Sequence, residues 1–92
     1  MKESTIEDYV INRVKQLGGF TRKVVYQGRT GAPDRWCFFP NGLLLIMEIK
    51  RPKKVPKGLQ AQEIADLQSM GQFVYSPNTK QAVDDILKEH FP

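Results

Sequence analysis

The strongest chemical signal in the sequence comes from two charged residues that end an apolar segment. Glu48 and Lys50 follow the apolar run Leu43–Met47, and residues two apart on a strand point to the same face. Charges on an otherwise apolar face cost free energy unless a partner offsets them. They could take part in catalysis, or they could form an ordinary ion pair at a sheet edge. The Glu-x-Lys triplet alone does not separate these alternatives.

Asp34 supplies a second carboxylate. Asn41-Gly42 lies between Asp34 and Glu48 and predicts a tight hairpin turn that folds the strand beginning at Asp34 back beside Glu48. Two converging carboxylates raise each other's proton affinity, and a divalent cation relieves that repulsion. Oxygen ligands of this kind favour Mg²⁺ or Mn²⁺, and Pro33 restricts the backbone that enters Asp34. The alternative is that Asp34 only caps a turn.

Seven predicted elements would position these residues. Apolar residues at helical spacing predict helices at Thr5–Leu17, Leu59–Met70 and Asn78–His90. Ser4 is the predicted N-cap of the first helix, and Gly18-Gly19 is its predicted stop. β-branched and aromatic runs bounded by turn residues predict strands at Phe20–Tyr26, Asp34–Phe39, Leu43–Lys50 and Phe73–Tyr75. The third strand is apolar on both faces, which is typical of a central strand. The order αβββαβα therefore predicts an α/β fold, a mixed sheet flanked by helices with a right-handed parallel crossover from the third strand to the fourth. We expect one domain over residues 1–92.

Basic residues are concentrated in two parts of the chain, whose net charge is +4. The segment Lys50–Lys57 has five basic residues and no acidic one, and a second group lies in the first half. A solvated loop is the ordinary interpretation, but the neighbouring carboxylates favour phosphate contact. The predicted nucleic-acid-binding residues are Arg29, Arg35, Arg51, Lys53, Lys54 and Lys57.

The composition excludes some kinds of site. A single cysteine, Cys37, excludes an internal disulfide and a multi-cysteine zinc site, and we expect it to be buried. The apolar run Leu43–Met47 is too short to cross a bilayer. No signal peptide is recognisable at the start of the chain. We therefore expect a cytoplasmic protein, located in the host cytoplasm if a phage encodes it.

Three motifs together resemble a known superfamily. Gly31-Ala32-Pro33-Asp34, Glu48-Ile49-Lys50 and the helix opening Leu59-Gln60 resemble the PD-(D/E)xK nucleases, and within them the VRR-NUC family with its small phage members. The resemblance covers almost the whole chain. It implies a restriction-endonuclease-like fold and an endonuclease that depends on Mg²⁺ or Mn²⁺. The lysine-rich loop Arg51–Gly58 departs from the family pattern and could alter substrate preference.

The resemblance also implies roles for individual residues. Asp34, Glu48 and the Ile49 carbonyl would bind the metal, and Lys50 would stabilise transition-state charge or help to orient and deprotonate water. It further suggests that Glu7, on the first helix, contacts the metal directly or through water. The competing interpretation is a capping box in which Glu7 bonds back to the Ser4 amide.

Two glutamines of the second helix are separated by their spacing. Gln60 lies four residues before Ile64 and seven before Leu67, on the inward face, whereas Gln62 should face solvent. Gln60 is therefore the candidate for orienting the attacking water or the lysine.

The substrate expected from the resemblance is branched DNA, cut by a symmetric homodimer of the Holliday-junction resolvase type. A flap or nicking endonuclease is the alternative with the same chemistry. A catalytically inert DNA-binding module and a structural interaction protein are alternatives from other classes. The DNA-binding module leaves the carboxylates unexplained, because they would repel a phosphate partner.

Other conspicuous side chains have ordinary interpretations. Trp36, Phe38 and Phe39 are expected in the core or in an interface. We expect His90 to be exposed and not a ligand. Tyr9 and Tyr26 are possible phosphate contacts that the sequence leaves open.

Overall fold

A computed structural model describes all residues from Met1 to Pro92. The elements are α1 (Glu3–Gln16), β1 (Phe20–Lys23), β2 (Arg35–Phe38), β3 (Leu44–Met47), α2 (Leu59–Ser69), β4 (Phe73–Tyr75) and α3 (Lys80–His90). The strands form one sheet in the order β1-β2-β3-β4, antiparallel except for the parallel pair β3 and β4. The predicted order αβββαβα and the mixed sheet are confirmed.

Helix α1 packs through one apolar stripe, but it begins earlier than predicted. Ile6, Val10 and Val14 recur every four residues and are completely buried. The N-cap is Lys2, whose carbonyl accepts the Thr5 amide at 3.1 Å. The prediction of Ser4 as N-cap is wrong, because the helix starts at Glu3 and Ser4 lies within its first turn. The end of the helix agrees with the predicted glycine stop, and Gly18 has a φ of 83°.

The β2–β3 hairpin sets the register of the sheet. Arg35 pairs with Met47 and Phe38 pairs with Leu44, so the next pair outward places Asp34 opposite Glu48. The turn is closed by bonds from the Gly42 amide to the Phe39 carbonyl (3.0 Å) and from the Phe39 amide to the Leu43 carbonyl (3.1 Å). Gly42 has a φ of 84°, a conformation that glycine adopts without steric cost. The predicted hairpin is confirmed.

Backbone hydrogen bonds show how the chain continues where β1 and β3 end. β1 ends at Lys23 rather than Tyr26, because the last bond of its ladder joins the Val24 amide to the Asp34 carbonyl (2.8 Å). After β3, the Glu48 amide bonds to the Tyr75 carbonyl (2.9 Å), and the Lys50 amide bonds to the Pro77 carbonyl (3.0 Å). Glu48 to Lys50 are therefore held in extended form beside the end of β4.

The core lies mainly between the sheet and the two helices α1 and α3. Its ten buried members are Ile6, Val10, Val14, Cys37, Phe39, Leu45, Met47, Ile49, Val83 and Leu87. Helix α3 starts at Lys80, two residues later than predicted, because the Thr79 hydroxyl accepts the Ala82 amide at 3.0 Å. None of the three helices is long and apolar enough to span a membrane.

Helix α2 differs from the other two helices. The only buried residue that it contributes is Glu63, while Ile64 and Leu67, which were predicted to face inward, are half-buried. Its helical ends agree with the prediction to within one residue, since it runs from Leu59 to Ser69. A helix that buries a charge rather than a leucine needs polar partners, and those partners lie around the candidate site.

Candidate active site

The Glu48 carboxylate is the centre of the site. The residue is only 6% exposed, and its Oε2 atom lies 3.4 Å from Lys50 Nζ and accepts a hydrogen bond from Gln60 Nε2 at 3.2 Å. Its other oxygen, Oε1, is buried and has no hydrogen-bond partner in the protein. A buried carboxylate oxygen without a donor is costly, so this atom has capacity for a further ligand.

The raised pKa of Glu48 agrees with its burial and with its unpartnered Oε1 atom. Burial raises the pKa of its carboxyl above the ordinary value of 4.5, and the negative charge of Asp34 raises it further. Lys50 opposes the rise, as does the backbone N–H of Asp34. The charged form of Glu48 is therefore under-compensated, which is the condition that a bound cation corrects.

Asp34 and Glu7 line one small cavity. Its volume is about 180 Å³, and its walls are Glu3, Ser4, Glu7, Lys23, Asp34 and Ile49. The sequence separates Glu7, Asp34 and Ile49 widely, and the fold brings them together here. No group of three or more acidic, histidine or cysteine side chains is close enough in this conformation to hold a metal ion by itself.

Glu7 is held by an arginine and not by the helix terminus. Arg35 Nη2 donates to Glu7 Oε2 at 3.0 Å, and the Arg35 side chain is only 13% exposed. The capping box with Ser4 is therefore wrong, because Ser4 is inside the helix and no bond from Glu7 to its amide is present. The ion pair instead keeps the Glu7 carboxylate at the cavity that Asp34 shares.

The two glutamines of α2 point as their spacing predicted. Gln60 is half-buried and reaches Glu48, whereas Gln62 is exposed and donates to Asp66 at 2.9 Å. The amide of Gln60 can hydrogen-bond Glu48 without adding a charge to a site that already contains several.

The loop that carries Asp34 packs closely on the start of α2. A Cβ atom on Gly31 would lie 2.7 Å from the Leu59 carbonyl oxygen, and Gly31 has a φ of 94°, so both space and conformation require glycine there. Trp36 Nε1 donates to the Pro33 carbonyl at 2.7 Å. The Gly31-Ala32-Pro33-Asp34 motif is therefore fixed both against α2 and against β2.

One buried residue near the site was not predicted from the sequence. Glu63 accepts hydrogen bonds from Tyr26 Oη at 2.9 Å and from Arg29 Nη2 at 2.8 Å. The available signal was its position three residues after Gln60, on nearly the same face of α2.

Comparisons with known proteins agree with this fold. No protein-family model matches the sequence. The chain is 37% identical over 71 residues to "Putative nuclease p44" of Acyrthosiphon pisum secondary endosymbiont phage 1, covering 77% of this chain and 76% of that protein. A solved structure described as a VRR_NUC domain superposes with a TM-score of 0.90 and 30% identity, covering 96% of each chain. The chain belongs to the VRR-NUC nuclease family.

In this VRR-NUC protein the basic residues fall into two sets. Arg51, Lys54 and Lys57 line a cleft of about 350 Å³ together with Lys50 and Gln60, next to Glu48. Arg29 and Arg35, which were also predicted to bind nucleic acid, form ion pairs with Glu63 and Glu7. The difference arises because both arginines lie beside half-buried or buried acids, which the sequence alone does not place.

The remaining predictions have mixed outcomes. His90 is half-buried rather than exposed, because its ring lies 2.7 Å from the Tyr75 hydroxyl and packs edge-on against Phe73. Cys37 is buried as predicted, and burial raises the pKa of its thiol to about 12. Tyr9 donates to Asp84 at 2.6 Å, so the Tyr9 and Tyr26 hydroxyls both bond to acids within this VRR-NUC fold.

Proposed function

We propose that this protein is a divalent-metal-dependent endonuclease that hydrolyses phosphodiester bonds in DNA. The observation that carries the proposal is the buried, unpartnered Oε1 atom of Glu48, in a residue that faces Asp34 across the hairpin and has Lys50 and Gln60 on its other oxygen. An ordinary structural ion pair does not need a buried oxygen left without a donor.

The donor set fits Mg²⁺ or Mn²⁺. Asp34, Glu48 and the Ile49 carbonyl would hold the ion, with Glu7 as a further carboxylate at the same cavity. When bound, the cation would polarise the scissile phosphate and lower the pKa of a coordinated water. Zinc, a borderline-soft ion, is disfavoured because no thiolate or imidazole lies among these residues.

The side chains around Glu48 have distinct tasks. Lys50 lies at the open cleft and would neutralise charge that develops on the phosphate oxygens. Gln60 fixes the orientation of the Glu48 carboxylate through its bond to Oε2 and would leave its amide oxygen free to accept from the attacking water. Arg35 keeps Glu7 turned toward the site.

The cleft formed by Arg51, Lys54 and Lys57 would hold phosphates on either side of the cut. Its cationic lining is continuous with Lys50, so a DNA backbone can lie along it without meeting a carboxylate other than Glu3. Lys53 is exposed on the same loop and would extend that surface. The protein would bind DNA through the backbone rather than through base edges.

The proposed substrate is branched DNA, cut by a homodimer. The subunit measures 33 × 31 × 21 Å and carries one candidate site, so cutting two strands symmetrically requires two subunits related by a two-fold axis. A monomeric flap or nicking endonuclease is the alternative that uses the same residues.

A cleavage assay on labelled four-way junction, flap, single-stranded and linear duplex DNA tests the proposal. We expect cleavage with Mn²⁺ and none with EDTA, with the junction cut fastest. Sedimentation at micromolar concentration should show a dimer; a monomer that cuts flaps would support the alternative substrate. Salt-sensitive DNA binding without cleavage in either metal would identify an inert DNA-binding module instead.

The turn after the site supports a separate prediction about Lys53. Its φ is 68°, in a turn closed by the Lys54 amide on the Arg51 carbonyl at 3.1 Å, and a non-glycine residue pays about 1 kcal/mol or more there. Lys53→Gly should leave the free energy of unfolding unchanged or raise it by up to about 1 kcal/mol. DNA affinity should nevertheless fall, with the slope of log K against log salt reduced in magnitude by about 1.

Salt-dependent binding and urea unfolding would measure both effects. Lys88→Gln on α3 is the matched control, because it removes an exposed lysine far from the loop and should leave the salt slope unchanged. Equal affinity of Lys53→Gly and the unmodified protein at every salt concentration would contradict a DNA contact at this position.

A further inference from the structure

We propose that Glu63 is a positioning residue that holds Asp34 in place through the loop between β1 and β2. This inference rests on the proposed function, because it assigns Glu63 a role in the same site. Glu63 touches neither Asp34 nor Glu48 in the structure, and it acts through Tyr26 and Arg29.

Hydrogen bonds from two side chains compensate the charge of the buried Glu63 carboxylate. The residue is only 8% exposed, and it is the only buried residue of α2. Both carboxylate oxygens have a donor, Oε2 from Tyr26 and Oε1 from Arg29. Burying a carboxylate costs free energy unless hydrogen bonds satisfy it, so these two bonds offset the cost of burying Glu63 when α2 is docked.

Both donors lie on one irregular segment. The loop Val24–Asp34 has no regular secondary structure, and it ends with the residue proposed to bind metal. Its two ends are joined by the bond from the Val24 amide to the Asp34 carbonyl. Between them, Tyr26 and Arg29 tie the loop to α2, and Gly31 fits against the Leu59 carbonyl. The loop therefore has few conformations while Glu63 is in place.

The same helix holds the other half of the site. Gln60 binds Glu48, and Glu63 follows one turn later on nearly the same face. Helix α2 thus contacts Glu48 directly and Asp34 through the loop, and it adds to the pairing of β2 with β3 in setting the spacing between the two carboxylates. A mainly structural role for Glu63 would affect stability without affecting that spacing.

Trp36 offers a readout of the loop that needs no metal. It is the only tryptophan in the chain, it is half-buried, and its indole N–H bonds to the carbonyl of Pro33, next to Asp34. Release of the loop should expose the ring and shift its fluorescence emission to longer wavelength.

The test compares Glu63→Ala, Glu63→Gln and Tyr26→Phe with Asp84→Ala. Asp84 is the matched control, because it also accepts from a tyrosine and an arginine, Tyr9 and Arg13, but joins α1 to α3 away from the loop. Trp36 emission and Mn²⁺ affinity by titration calorimetry are measured at a temperature where every variant is folded.

We expect Glu63→Ala and Tyr26→Phe to red-shift Trp36 emission, and Glu63→Ala to weaken Mn²⁺ binding by about tenfold or more. Glu63→Gln should retain most of the affinity, because its amide oxygen can still accept from Tyr26. Asp84→Ala should lower the melting temperature and leave both readouts unchanged. If Glu63→Ala does not fold, the Trp36 emission of Tyr26→Phe decides the question.

Unchanged Trp36 emission and Mn²⁺ affinity in folded Glu63→Ala, or unchanged Trp36 emission in Tyr26→Phe, would overturn the positioning role. If the unmodified protein neither binds Mn²⁺ nor cuts DNA, the proposed function fails instead, and Trp36 emission alone then decides whether Glu63 orders the loop.

Discussion

Asp34→Asn and Glu48→Gln should each reduce Mn²⁺-dependent DNA cleavage by at least about a hundredfold. Each substitution removes a carboxylate from the proposed metal site while keeping the size of the side chain. Rates on a labelled junction, measured with enzyme in excess, would separate a loss of chemistry from slow product release.

The fold should survive these substitutions. The pKa of Glu48 is raised in the folded protein, so the folded state binds its proton more tightly than the unfolded chain does. Ionisation of Glu48 therefore lowers the free energy of unfolding as the pH rises from about the ordinary value of 4.5 through the raised pKa. Glu48→Gln removes this penalty and should be at least as stable as the unmodified protein at pH 7 without metal.

Urea unfolding at pH 5 and pH 8 with EDTA checks this expectation, since the difference in stability between the two pH values should shrink in Glu48→Gln. Robust cleavage by either carboxylate variant would remove Asp34 and Glu48 from the proposed mechanism.

Lys50→Ala should reduce the rate of DNA cleavage by about a hundredfold to a thousandfold, and the variant should still bind Mn²⁺. Its ammonium group is 3.4 Å from Glu48 Oε2 and lies at the cleft, where it would act on developing phosphate charge. Calorimetric Mn²⁺ titration beside single-turnover cleavage would separate the two properties.

Lys57→Ala is the matched control for Lys50, because Lys57 lines the same cleft without contacting Glu48. It should weaken DNA binding and leave the rate at saturating DNA close to that of the unmodified protein. A Lys50→Ala enzyme whose rate recovers fully at high DNA concentration would show that Lys50 only binds substrate.

The centre of the site could be predicted because its geometry is local. The alternation of a strand places Glu48 and Lys50 on one face, and a hairpin turn returns Asp34 to Glu48. Helical spacing alone predicted that Gln60 faces inward and that Gln62 faces solvent. Each of these inferences uses a periodicity or a turn within about fifteen residues, which the sequence displays directly.

The supporting contacts could not be predicted, because they join distant segments. Arg35 with Glu7 and Glu63 with Tyr26 are pairs between different elements, and many other basic or hydroxyl groups were equally available as partners. The predicted capping box between Ser4 and Glu7 is wrong for the same reason, because Glu7 forms an ion pair with the distant Arg35 in place of the local hydrogen bond. The length of β1 likewise depended on where its partner strand began.

The unusual attachment of α2 has a consequence for how the protein loses activity. Its one buried residue is charged, its apolar residues are at most half-buried, and the residues of the hydrophobic core belong to other elements. We expect such a segment to open first in local unfolding, so its amide protons should exchange with solvent before those of α1. Because α2 carries both Gln60 and Glu63, its detachment disables the site while the core stays folded, so heat inactivation precedes global melting.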